Sequence, residues 1–75
     1  MRDPNRLDHF YDTFRDIHKK YFPDQRFGQF ISNFFGWAIG EKKISDIWFP
    51  EEDKWIDLLK EYVINTVKGV TWEDL

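Results

Sequence analysis

Residues 23–40, which read Pro-Asp-Gln-Arg-Phe-Gly-Gln-Phe-Ile-Ser-Asn-Phe-Phe-Gly-Trp-Ala-Ile-Gly, constrain the fold more than any other stretch of the chain. Placed on a helix at 100° per residue, Phe27, Phe30, Ile31, Phe34, Phe35, Trp37, Ala38 and Ile39 fill an arc of roughly 200°. Gln25, Gln29, Ser32, Asn33 and Gly36 fill the remainder. A surface helix needs an apolar stripe only a little over ~100° wide. One neighbour does not cover the wider arc, so this helix is expected to lie between two other elements and to be the most buried of the set.

The flanking sequence supplies those elements. Asp3-Pro4 is a helix start, with an acceptor oxygen for free N–H groups and a proline preset for the first turn. Leu7, Phe10, Tyr11, Phe14, Ile17, His18 and Tyr21 then recur at spacings of three and four, which predicts a helix over about 4–21. Phe22-Pro23 ends it, because a residue before proline avoids the helical region. Asp24 is expected to cap the central helix, about 25–38, with Gly36 or Gly40 as its stop. Gly28 in the first turn costs up to ~1 kcal/mol against alanine, which predicts close approach of another backbone there. A third helix is predicted over about 51–67. Glu51, Glu52 and Asp53 suit its positive end, Trp55, Ile56, Leu58, Leu59, Tyr62, Val63 and Val67 make its inner face, and Gly69 is its stop.

The expected architecture is therefore all-α: a compact three-helix domain with an aromatic core and a short irregular segment between helices 2 and 3. Residues 1–75 form one domain. In the segment, Ile44, Ile47, Trp48 and Phe49 are expected to lie over one end of the core, and 70–75 is read as a tail. A domain this small buries only about 60% of its unfolded surface. With no cysteine there is no disulfide to help it, and the chain fits a reducing compartment. Eight Phe, four Trp and three Tyr take over that role, each able to bury ~150–250 Å².

The stretch Pro23-Asp24-Gln25-Arg26-Phe27-Gly28-Gln29-Phe30-Ile31-Ser32-Asn33, with Asp3-Pro4 before it and Trp48-Phe49-Pro50-Glu51-Glu52-Asp53 after it, resembles a family of small bacterial and prophage proteins. Its distinctive core is Arg-Phe-Gly-Gln. The resemblance spans most of residues 3–63, implies one compact helical domain and carries no catalytic residues. A prophage setting would suit a host-directed accessory protein or inhibitor.

No set of residues points to catalysis, a metal or a cofactor, so none is expected. His9 and His18 are nine apart and do not share a helix face as a metal-binding pair does. Asp8, Asp12 and Asp16 share a face, but a solvated surface explains them better than a loosely held cation. His18, at the apolar edge of helix 1, is expected to be a packed residue whose ring nitrogen meets a carbonyl or water. Ser32 and Ser45 have no histidine partner at a recognisable spacing.

The net charge of −3 argues against general affinity for nucleic acid or anionic membranes. Charge is uneven along the chain: residues 15–43 hold six basic and three acidic side chains, and residues 44–75 hold three basic and eight acidic ones. Self-neutralisation on folding is the plain reading. Helix 2 after its short turn could imitate a helix-turn-helix, yet only Gln25, Arg26, Gln29, Ser32 and Asn33 would address a groove. Mimicry of phosphate by the acidic residues 51–57 is the weaker alternative. No apolar run approaches a membrane span, and the first residues lack the core of a signal peptide, so a cytoplasmic protein is expected.

What remains is a protein-interaction module, binding an unidentified protein or a second copy of itself. Thirty of the 75 residues are Phe, Trp, Tyr, Ile, Leu, Val or Met, more than so small a domain hides. Trp37, Ile39, Ile64 and Trp72, at stripe edges or in the tail, are the expected apolar patch. Arg26 and Gln29 point off the core arc and are expected either to pair with the acidic start of helix 3, the preferred reading, or to form a recognition surface.

Overall fold

The computed structural model describes residues 2–75 and contains three α-helices and a terminal turn of 3₁₀ helix, with no strand among the described residues. Helix α1 runs Arg6–Tyr21, α2 Phe27–Gly40 and α3 Glu52–Thr66, and the 3₁₀ turn spans Trp72–Asp74. The all-α expectation holds, and each helix lies within two residues of its predicted limits.

The ends show how local chemistry sets those limits. Asp3 Oδ1 accepts from the Asn5 N–H at 2.9 Å, and the Asp3, Pro4 and Asn5 carbonyls accept from residues three further on, so Asp3-Pro4 winds the entry to α1 as its chemistry implied. At α2 the expectation was wrong. The helix starts at Phe27 after an extended Arg26, and Gln29 Oε1 reaches back to accept the Arg26 N–H at 3.0 Å, so Gln29 does the capping expected of Asp24. Gly28 is also not explained by a close approach: a methyl group there would meet nothing within 4 Å. Gly36 does not stop the helix, which continues to Gly40 because the Trp37 carbonyl still finds the Glu41 N–H at 2.8 Å. After α3, Gly69 takes φ +88°, the left-handed conformation in which glycine lacks the Cβ penalty of other residues.

Helix α3, not α2, is the hub, which overturns the expectation built on α2's arc. Six side chains of α3 are buried, Trp55, Ile56, Leu58, Leu59, Tyr62 and Val63, against Phe30, Phe34 and Ala38 in α2 and Ile17 alone in α1. The reason is the packing order. Arg6 meets Glu52 at one end of α3 and Phe22 stacks on Tyr62 towards the other, so α1 and α3 run side by side in the same sense. The link 41–51 makes this possible by carrying the chain back along the bundle. Helix α2 lies across the seam: Phe30 packs on Phe14, His18 and Phe22, whereas Phe34 and Trp37 pack on α3 through Trp55 and Tyr62.

His18 sits as its position implied. Its Nε2 lies 2.7 Å from the Gln25 carbonyl and its ring 4.6 Å from that of Phe30. Since a carbonyl only accepts, Nε2 is the donor, and the bond ties the end of α1 to the turn before α2. The tail folds back: Val70 and Leu75 pack against the core, and Asp74 accepts from the Thr71 N–H at 2.9 Å. In the link, only Ile44 packs against the core. Trp48 and Phe49 are 89% and 80% exposed, so they do not cover it as expected.

Candidate functional site

Helices α1 and α2 both lean on α3 and splay apart on the far side. Between them runs an apolar groove of about 550 Å³. Phe34 and Trp55 form its floor, Phe10, Phe14, Ile31 and Phe35 its walls, and Tyr11 and Phe27 stand on its two lips. The floor is buried, the walls are half-buried, and the lips are open, with Tyr11 59% and Phe27 65% exposed. The groove is thus the outer part of α2's wide arc, left uncovered because a single seam takes only the stripe of Phe30, Phe34 and Ala38.

Its edges hold themselves open by ring packing. Phe14 lies 6.4 Å from Phe27 across the groove and 5.1 Å from Phe30 beneath it, and Phe35 lies 5.2 Å from Trp55, between ring centroids. Phe10 and Tyr11 meet edge to face at 5.0 Å, which fixes the orientation of the α1 lip. The polar lining consists of Asp12 and Arg15. Arg15 donates to Asp12 at 3.2 Å and to Asp16 at 3.1 Å, so the guanidinium is engaged along its own helix. Asp12 and Asp16, weighed as cation ligands from the sequence, accept from an arginine instead. Among the described residues no three His, Cys, Asp or Glu side chains gather as metal donors.

The residues expected to form the interaction surface lie elsewhere. Trp37 is half-buried against Phe34 and Tyr62, Ile64 is half-buried, and Ile39 and Trp72 are exposed. None of the four lines the groove. Gln29 is exposed and caps α2. Arg26 is exposed beside the Phe27 lip and makes no ion pair among the described residues, so the preferred pairing with the start of α3 is overturned. That start is met from α1's side: Arg2 lies 2.9 Å from Glu51, and Arg6 donates to Glu52 at 2.7 Å. The Arg6 guanidinium beside Glu52 holds its carboxyl below the usual carboxylate range. A third pair, Lys42 to Glu61 at 2.6 Å, pins the link to α3.

Reading the aromatics of α1 and α2 as core concealed the lips. The adjacent pair Phe10-Tyr11, which a helix turns about 100° apart so that only one ring can enter the packed seam, and the width of α2's arc were the available signals.

No helix of the described residues is long and apolar enough to cross a membrane. Comparison of the chain with protein-family models, curated proteins and solved structures returns no match.

Proposed function

We propose that the chain is a non-catalytic protein-interaction module that takes bulky apolar side chains of another polypeptide into the groove between α1 and α2. The observation that supports this is the pair of open aromatic lips over an aromatic floor. Small-molecule and catalytic sites combine an apolar pocket with a few aimed polar groups, and here the polar lining is the internally paired Asp12 and Arg15. Aromatic-rich concavities are where partner anchors lodge in protein interfaces. On the resemblance of residues 23–33 to small bacterial and prophage proteins, itself an expectation, such a module would serve as an accessory protein.

Affinity capture from the native host tests the reading, with the folded chain as bait and Phe27→Glu and Arg26→Glu alongside it. A specific partner should be retained by the wild type, lost with Phe27→Glu and weakened less by Arg26→Glu. A partner indifferent to Phe27→Glu would remove the groove from the function. Generic DNA at low salt should show no mobility shift; a shift would favour the nucleic-acid alternative.

A further inference from the structure

We propose that the groove receives the Trp48-Phe49 turn of a second copy of this chain, so that two copies exchange turns and form a symmetric dimer. The inference rests on the groove reading above and names a second copy as the polypeptide that fills the groove, so that any other protein would compete with the turn for it. Trp48 and Phe49 are the most exposed large apolar residues of the described chain, at 89% and 80%. They stand next to each other on a turn closed by the Trp48 N–H donating to Asp46 Oδ1 at 2.8 Å.

That turn is held at both ends. Lys42 pairs with Glu61 and the Ile44 N–H donates to the Ala38 carbonyl on one side; Arg2 pairs with Glu51 and Arg6 with Glu52 on the other. An anchored loop that presents two aromatic rings loses little freedom on docking. Arg26 beside the groove lip and Asp46 beside the turn carry opposite charges, which favours this pairing of surfaces.

Area selects the reciprocal arrangement. Two aromatic side chains bury about 150–250 Å² each, and the groove wall they cover loses a similar amount. One docked turn therefore removes roughly 600–1,000 Å², short of a stable interface, whereas two exchanged turns remove roughly 1,200–2,000 Å², the standard size. A twofold dimer also closes, leaving neither turn nor groove free to recruit further copies.

Analytical ultracentrifugation of the full chain tests this, with Phe27→Ser and the double variant Trp48→Ser/Phe49→Ser beside the wild type. All three positions are exposed, and circular dichroism should show unchanged helix content. The wild type should sediment as a dimer, and each variant should weaken dimerisation by at least about 100-fold, since both symmetric copies of an aromatic anchor are lost. A wild type monomeric up to ~1 mM, or a dimer that survives either variant, overturns the inference. A monomer that still captures a host protein in a Phe27-dependent way leaves the interaction module standing without self-docking. A monomer that captures nothing removes both.

Discussion

Helix α2 carries four phenylalanines in nine residues, so a single substitution, Phe to Ala, can be read at positions that differ mainly in burial. Phe30 is fully buried and packs on three rings, those of Phe14, His18 and Phe22, at centroid distances of 5.1, 4.6 and 5.1 Å. Its truncation loses the full transfer term and leaves a cavity between rings that are held by α1 and the turn after it, which costs about 3–5 kcal/mol. Small domains without disulfides hold little more than about 3–5 kcal/mol in all, so Phe30→Ala should be largely unfolded at 25 °C. Phe27 is 65% exposed, so only about a third of its side chain is covered. From ~1.5–3 kcal/mol for full burial, Phe27→Ala should cost about 0.5–1 kcal/mol with no cavity term. Phe34 should resemble Phe30, and half-buried Phe35 should fall between. Urea denaturation followed by far-UV circular dichroism measures the series, and Phe30→Leu keeps the buried site measurable if the alanine variant does not fold. Equal losses at Phe27 and Phe30, or a folded Phe30→Ala that loses under 1 kcal/mol, would refute the packing described here.

Gly36→Ala should raise stability by about 0.5–1 kcal/mol, because it lies inside α2 with open space around it, whereas Gly69→Ala should lower it, because φ is +88° there; thermal melts of the two variants should shift in opposite directions. Glu52 titrates below its unfolded value, so the folded chain binds its proton less readily. Its contribution is present above the unfolded value and lost as pH falls through the folded one, and melting temperature should drop below about pH 4.5 more steeply for the wild type than for Glu52→Gln. Arg26→Ala should melt within about 0.5 kcal/mol of the wild type at both low and high salt, since Arg26 has no ion pair to lose among the described residues; a loss that shrinks with salt would restore the pairing rejected above.

Existence and type of each helix were legible because spacing of apolar residues by three and four is a local property, as were the turn at Pro23 and the packed His18. The hub was not. Arc width reports how much apolar surface a helix owns, and coverage depends on where its neighbours settle. Here the long link lets α3 lie alongside α1, so α2 meets both along one seam that covers only the stripe of Phe30, Phe34 and Ala38, and α2's surplus becomes the groove. Arg26 failed as an ion-pair partner for a related reason. Opposite charge at Glu51–Asp53 was plain in the sequence, but Arg2 and Arg6 reach it because α1 and α3 start at the same end. The exposed Trp48-Phe49 pair was hidden by the assumption that apolar residues near a core fold onto it.

The order in which the bundle is synthesised does not match the order of its dependence. The helix on which the other two lean is the last of the three to leave the ribosome, and Arg6 waits for a partner 46 residues further along. At ~5–20 residues per second, the residues between Gly40 and Thr66 take roughly 1–5 s to make, during which Phe34 and Trp37 have no α3 to pack on. A chain ended at Gly40 is accordingly expected to melt without cooperativity. Folding here is an event of completion: the first two helices are made early and become a structure only when the third arrives.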